Sequence, residues 1–225
     1  MTIAQPPVLS IDEEKRDFRL GSRRLESVTE VLAENGWIDA RWYKPIHSVR
    51  GGRVHAYSQY IDEGEDLKAT LAIAAADKGC DLGQGFEPYW LDEPELGLDG
   101  CVESYRKCRD RHGVEMLDIE RRLWHPTMYY TGRPDRRARR KGDEWIIDLK
   151  PDAHKPADNF QTAAYDPLFG PYPGGRKRAS VHYQRDGSEA VLREHTDYAD
   201  FSNFAAMLLC TRTRRFHHVA SYRDS

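Results

Sequence analysis

The sequence predicts an α/β fold in which a small mixed β-sheet is flanked by helices, and three observations carry that reading. Apolar residues recur at helical spacing through 28–32, 54–61 and 98–112. From 114 to 150 the texture changes to alternation, in three strand-like runs separated by turn residues. A helical stretch, a second alternating pair and a last helix follow, an interleaving that stacks helices on a sheet. The 225 residues suit one domain over 1–225, long enough to bury a substantial core. Charged residues are 32% and aromatic ones 11%, which describes a solvated surface around a filled interior rather than a disordered chain. Net charge is −3, so any case for a polyanion partner must come from local clusters.

The elements can be justified in order. Residues 1–15 are polar and contain proline, and read as frayed. Phe18 to Leu25 alternates around Gly21-Ser22, a type II′ hairpin signal. Ser27 and Glu30 have capping-box spacing, with Val28, Val31 and Leu32 facing inward and Asn35-Gly36 as the stop. A helix over 53–63 carries Val54, Tyr57 and Ile61 on its apolar stripe, with His55, Gln59 and Asp62 on the adjoining polar face. The acidic, Gly- and Pro-rich segment 79–97 reads as a loop or lid. A helix over 99–112 turns Leu98, Cys101, Tyr105, Cys108 and His112 to one side, as core.

Strands follow over 114–124, 128–138 and 144–150, the last two joined by the basic turn 139–143. In the first, Met116, Asp118 and Glu120 oppose Leu117, Ile119 and Arg121. Pro151 ends the third, and a helix over 157–165 opens after Pro156. Runs 179–184 and 190–194 form a hairpin over Asp186-Gly187. The last helix starts at Asp197 or Asp200 and buries Phe201, Phe204, Ala205, Leu208 and Leu209, leaving 213–225 as a basic tail. The four cysteines include no CxxC, and Cys101 and Cys108 stand about 10.5 Å apart along one helix, too far to share a bond. They read as reduced, which with no leader and no spanning segment points to the cytoplasm.

The chemistry concentrates at the end of the third strand. Alternation puts Ile146, Asp148 and Lys150 on one face and Trp145, Ile147 and Leu149 on the other. If the strands over 128–138 and 144–150 pair, Asp135 joins Asp148. Two carboxylates on adjacent strands can hold a hard divalent cation such as Mg²⁺ or Mn²⁺. A neighbouring lysine can orient or deprotonate a water, or stabilise charge on a phosphate. A surface salt bridge between Asp148 and Lys150 is the plain alternative.

Pro134-Asp135, then twelve residues, then Asp148-Leu149-Lys150 resembles the signature of the PD-(D/E)xK nuclease superfamily. Gly132-x-x-Asp135 resembles the GxxD of its RecB-like and Cas4-like branch, and Gln161 to Tyr165 resembles that branch's QxxxY helix. Gly52-Arg-Val-His55 resembles its upstream histidine motif. Glu120-Arg-Arg-Leu-Trp-His-Pro resembles the glutamate strand of phage and viral exonucleases in the superfamily, and Ser27-Val-Thr-Glu-Val-Leu the opening helix of phage-encoded members. The resemblance runs over 18–209.

It implies a restriction-endonuclease-like core and a Mg²⁺- or Mn²⁺-dependent DNA nuclease. Asp135 and Asp148 would be metal carboxylates, with the Leu149 backbone carbonyl and His55 as further ligands and Glu120 as an acid beside the metal. Lys150 would be the catalytic lysine, braced by Gln161 and Tyr165. Relatives with an iron–sulfur cluster hold it with one upstream and three closely spaced C-terminal cysteines; here only Cys210 lies in the C-terminal third, so no cluster is expected. Many relatives carry Thr or Ser after the lysine, where this chain has Pro151.

Arg133, Arg136, Arg137, Arg139, Arg140 and Lys141 place six cations in nine positions, a candidate path for a DNA backbone read without sequence preference. Arg176 to Arg178 and Arg212 to Arg215 add charge. Trp124, Tyr129, Tyr130 and Trp145 are candidates to stack bases, with core packing the better account of Trp145. The activity expected is an exonuclease of phage-type recombination, repair or replication, in a bacterial or phage-infected cell. A single-strand annealing protein is its natural partner, a homo-oligomer is allowed, and no membrane is involved. The alternatives are a structure-dependent or nicking endonuclease on the same fold, and a DNA-binding relic that no longer cuts.

Overall fold

A computed structural model describes residues 8–13, 15–38, 45–77, 97–151 and 153–219. The segment read as a loop or lid over 79–97 lies outside the described residues except for Gly97, as does Cys80. The fold is mixed α/β. β1 (Leu9–Asp12), β2 (Asp17–Leu20) and β3 (Arg23–Arg24) form a small antiparallel sheet at the N-terminus. β4 (Glu26–Ser27) leads into α1 (Val28–Glu34), and α2 (Pro45–Asp62), α3 (Leu67–Ala76) and α4 (Leu98–His112) follow. β5 (Glu115–Ile119), β6 (Leu123–Trp124), β7 (Tyr130–Gly132), β8 (Arg136–Arg140) and β9 (Asp143–Lys150) come next. Then come α5 (Pro156–Tyr165), a short 3-10 turn (Asp166–Phe169), β10 (Lys177–His182), β11 (Val191–Glu194) and α6 (Ala199–Phe216).

The main sheet has the order β11-β10-β9-β8-β5, with β10 parallel to β9 and the other pairs antiparallel. The parallel pair needs a crossover, and α5 supplies it. Alternation along β9 divides the interior as expected. Trp145, Ile147 and Leu149 pack with Val54, Tyr57 and Ile61 of α2 and with the α4 face around Cys101 and Tyr105. Ile146 packs on the opposite side with α1, Tyr165 and α6. Each such side chain taken fully out of water contributes about 1.5–3 kcal/mol. Among the described residues no helix is long and apolar enough to cross a membrane.

Local chemistry explains three helix boundaries. Ser27 accepts the Glu30 N–H at 3.2 Å and Glu30 accepts the Ser27 N–H at 3.2 Å, the reciprocal cap that starts α1. Asp66 accepts the Ala69 N–H and starts α3, an element the sequence reading did not assign. Gly113 ends α4 in the left-handed region.

Several boundaries differ from the sequence expectation. The strand expected over 114–124 breaks at Glu120, whose φ is +50°, and its alternation is interrupted by a register shift between Met116 and Asp118. The strand expected over 128–138 splits into β7 and β8 around Pro134, which lacks an N–H for the ladder. β6 and β7 join β4 in a separate sheet. Within the stretch read as frayed, β1 pairs with β2. The helix expected over 53–63 begins at Pro45, and Asp62 is buried rather than on a polar face. At the C-terminus, α6 runs on to Phe216 because Arg212 and Arg215 pair with Glu26, and Arg215 also with Glu30 and Glu34. Leu209 is exposed, and Met207 takes the core position.

One buried ion pair ties these layers together. The Arg136 side chain is fully buried, and its Nε donates to Asp62 Oδ2 at 2.6 Å. The Tyr105 hydroxyl donates to the same oxygen at 2.6 Å, and Arg109 Nε lies 3.0 Å from Asp62 Oδ1. Asp62→Ala would strand the Arg136 charge, so its expected cost is about 3–5 kcal/mol, read as a lower urea midpoint. An unchanged midpoint would show that this network does not hold α2 to the sheet.

Candidate active site

Side chains from four elements meet at one point. β9 delivers Asp148 and Lys150 on the side that α5 covers. Asp135 sits at the break before β8, where its Oδ2 accepts the Leu149 N–H at 2.6 Å. The Asp135 carbonyl accepts the Glu120 N–H at 2.9 Å and Arg136 Nη1 at 2.8 Å. Glu120 follows β5 in the left-handed region, a conformation uncommon outside glycine that swings its side chain away from the strand's alternation. α2 brings His55, whose Nδ1 lies 3.2 Å from Glu120 Oε1 and 3.6 Å from Asp135 Oδ1. His55, Glu120 and Asp135 each offer one ligand atom, all within 4.8 Å of one another. A strand residue points its N–H and C=O to the same edge, so the Leu149 carbonyl faces the β8 side, where Asp135 lies.

Asp148 stands outside that trio and faces the lysine. Lys150 Nζ is 2.5 Å from Asp148 Oδ2 and donates to Gln161 Oε1 at 2.9 Å. Gln161 Nε2 donates to Asp148 Oδ1 at 3.3 Å and to the Tyr165 hydroxyl at 2.9 Å. The amide thus shows its oxygen to the cation and its nitrogen to the carboxylate, and Tyr165 fixes it from one turn along the helix. Tyr165 is a core residue that reaches the lysine only through Gln161.

The Gly132 position is as tight as this packing requires. A Cβ there would meet Leu168 and the Tyr165 ring at 2.8 Å, which only glycine avoids.

The charges are strongly perturbed. Burial pushes the Asp148 carboxyl up; Lys150 opposes this and Asp135 adds to it. Burial works against the Lys150 charge, but the Asp148, Asp158 and Asp135 carboxylates together outweigh it and push its pKa up to about 12. Burial likewise works against the His55 imidazolium, and the Asp135 and Glu120 carboxylates outweigh it. Four cationic groups therefore lie among the acids of this site: His55, Lys150, Arg133, whose Nε is 3.1 Å from Glu120 Oε2, and Arg136, whose Nη1 is 3.6 Å from Glu120 Oε1.

Two adjoining clefts of about 320 and 430 Å³ open onto these groups and share His55, Asp135 and Gln161 in their walls. Sequence reasoning missed two residues here. Asp158, in the first turn of α5, has Oδ1 3.8 Å from Lys150 Nζ; its spacing of three before Gln161 was the available signal. Trp37, 43% exposed, lines the second cleft with its ring edge-on to Phe160, and nothing local marks it.

One member of the basic run is corrected by its burial, and three others are ion-paired. Arg136 is buried against Asp62 and cannot face solvent. Arg137 pairs with Asp118 and Glu144, Arg139 with Glu115, and Arg140 with Glu194. β8 carries the chain away from Asp135, so Lys141 at the turn lies roughly 20 Å from that carboxylate. Of the six, Arg133 alone lines a cleft at the acids. Arg176 and Arg178 are likewise engaged with Glu144 and Asp200. Tyr130 and Trp145 are buried and present no face for stacking. Trp124 and Tyr129 stack on each other, with Arg23 over the Tyr129 ring.

No protein-family model matches the sequence, and no curated protein matches it. Among solved structures, that of SSO0001 is similar over 82% of this chain and 84% of its own, at 17% identity and a TM-score of 0.31. A likeness that loose carries no argument about fold or chemistry.

The raised His55 and Asp148 values set a pH dependence for the metal-free protein. A group whose folded pKa is raised stabilises fully below its unfolded value and loses that contribution as pH rises through the folded one. For His55 the loss begins near the ordinary imidazole value of about 6.5, and for Asp148 near about 3.9. With EDTA present, Tm is expected to fall as pH rises from about 6 to about 9, and His55→Gln should flatten that slope. The same slope in His55→Gln would mean that the imidazole carries no proton between the acids.

Proposed function

We propose that this chain is a Mg²⁺- or Mn²⁺-dependent deoxyribonuclease on a restriction-endonuclease-like core, acting as an exonuclease. The observation that carries the reading is the convergence of the His55, Glu120 and Asp135 trio with the Asp148–Lys150–Gln161 chain at one strand end, between two open clefts. The resemblance to the PD-(D/E)xK nucleases names the same residues on independent grounds. The meander of β5, β8 and β9, the crossover through α5 and the parallel β10 suit such a core.

The donor set fits a hard divalent ion. Asp135, Glu120 and the Leu149 carbonyl supply oxygens, His55 supplies a nitrogen, and Asp148 Oδ2 is buried without an aligned hydrogen bond despite its contact with Lys150. When bound, Mg²⁺ or Mn²⁺ supplies Lewis acidity toward a phosphate oxygen and a more acidic water. The protein's own contribution is placement of charge. Lys150, kept protonated by Asp148 and oriented by Gln161, serves as a fixed cation and donor for charge that develops on the phosphate, rather than as a base. Pro151 does not disturb this, because Lys150 is held through its side chain.

Linear and covalently closed circular DNA incubated with Mg²⁺ or Mn²⁺ test the proposal. Wild-type protein should degrade the linear form and spare the circle, and Asp148→Ala and Lys150→Ala should each lower the rate at least about a hundredfold. Metal-dependent cutting of the circle would make it an endonuclease. No cutting of either form, or of single strands, would end the nuclease reading.

The arginine placements give a second measurement. Arg133→Ala should weaken DNA binding and reduce the salt slope by about one, while Arg139→Ala should leave both unchanged. The reverse order would return the binding path to the hairpin tip.

A further inference from the structure

A second group of ligating side chains lies one strand over from Lys150. His182 of β10 is in register with Lys150 of β9, and Ser180 with Asp148, so these four side chains leave the same face of the sheet. His154 and Asp158 approach from the loop before α5 and from its first turn. One ligand atom each from His154, Asp158 and His182 lies within 4.8 Å of the others. His154 Nδ1 is buried without a hydrogen-bond partner, 3.4 Å from Asp158 Oδ2.

Around this trio the orientation is fixed by groups that do not ligate. Ser180 Oγ, fully buried, is 2.7 Å from His182 Nε2 and 3.0 Å from His195 Nε2. The His195 ring stacks on that of His154 with centroids 5.4 Å apart. Metal-binding imidazoles are commonly held in this way, through hydrogen bonds that set the ring's direction.

We infer that His154, Asp158 and His182 form a second cation site, for a borderline divalent transition ion of the Zn²⁺ class. Two imidazole nitrogens and one carboxylate suit such an ion, whereas Mg²⁺ prefers an all-oxygen shell. Three protein ligands leave the remaining position to water. The site does not depend on the nuclease reading, but it adjoins the same lysine. Asp158 Oδ2 accepts the Lys155 N–H at 2.9 Å and faces His154, while Oδ1 lies 3.8 Å from Lys150 Nζ. A cation there clamps the loop after Pro151 to α5 and β10, and sets where Asp158 stands relative to Lys150.

The full chain, stripped with EDTA and then freed of it, is equilibrated with Zn²⁺ in excess Mg²⁺. Bound zinc is counted by mass spectrometry after desalting. His55→Ala removes the other cluster and should retain about one equivalent. His55→Ala/His154→Ala should retain none, and its Tm should no longer rise with Zn²⁺. His154 is in a loop and partly exposed, so its removal should leave the circular dichroism spectrum intact. His182→Ala on the same background should also lose the zinc; if that buried change prevents folding, the His154 variant decides alone. Equal zinc in His55→Ala and His55→Ala/His154→Ala, or none in His55→Ala, would overturn the site.

Discussion

The buried Arg136–Asp62 pair is the constraint on which the rest of the site depends. Asp62 ends α2, and His55 lies two turns earlier on the same helix. Arg136 opens β8, directly after Asp135, and its Nη1 reaches the Asp135 carbonyl at 2.8 Å and Glu120 Oε1 at 3.6 Å. One guanidinium thus sets the helix that carries the imidazole against the strands that carry the two acids. A buried ion pair need not make a protein more stable than an apolar substitute would. Its effect here is geometric. An apolar contact would let α2 slide along the sheet, whereas a fork of directed donors does not.

The site occupies the place where the sheet stops being regular. Glu120 leaves β5 in the left-handed region, Pro134 interrupts the ladder between β7 and β8, and the Leu149 N–H bonds to the Asp135 side chain rather than to a strand. Each departure breaks the regular ladder where one of the acids stands. Their clustering at one end of the sheet is what allows side chains from α2, β5, β8 and β9 to meet.

The legible part of this arrangement was the part written at short range. Period-two alternation put Asp148 and Lys150 together on one face, and four-residue spacing put Gln161 above Tyr165. Ser27 and Glu30 announced their helix because both halves of the cap lie within one turn. Within the basic run Arg136 was misplaced because a count of arginines says nothing about their partners. Those partners, Asp62, Glu115, Asp118, Glu144 and Glu194, are distant in sequence or across a strand pair whose register is set by the whole sheet. For the same reason β1 was hidden, since a four-residue strand is defined by what it pairs with. Trp37 and the His154–His182 approach required the tertiary fold, because no periodicity links them.

Charge balance explains how so many acids can stand together. Glu120 is met by His55 and Arg133, and Asp148 by Lys150. Asp135 is met by His55 and by the Leu149 N–H. These cations are not equivalent. The Lys150 ammonium is held protonated by the carboxylates around it, whereas the His55 charge is a proton whose retention near neutrality depends on the acids beside it. A divalent ion held between Glu120 and Asp135 would replace that proton and take a neutral imidazole as a ligand, an exchange of one cation for another. The carboxylates would then need no reorganisation to receive such an ion. The proton on His55 keeps them converged beforehand, and the buried Arg136–Asp62 pair keeps His55 within reach of them.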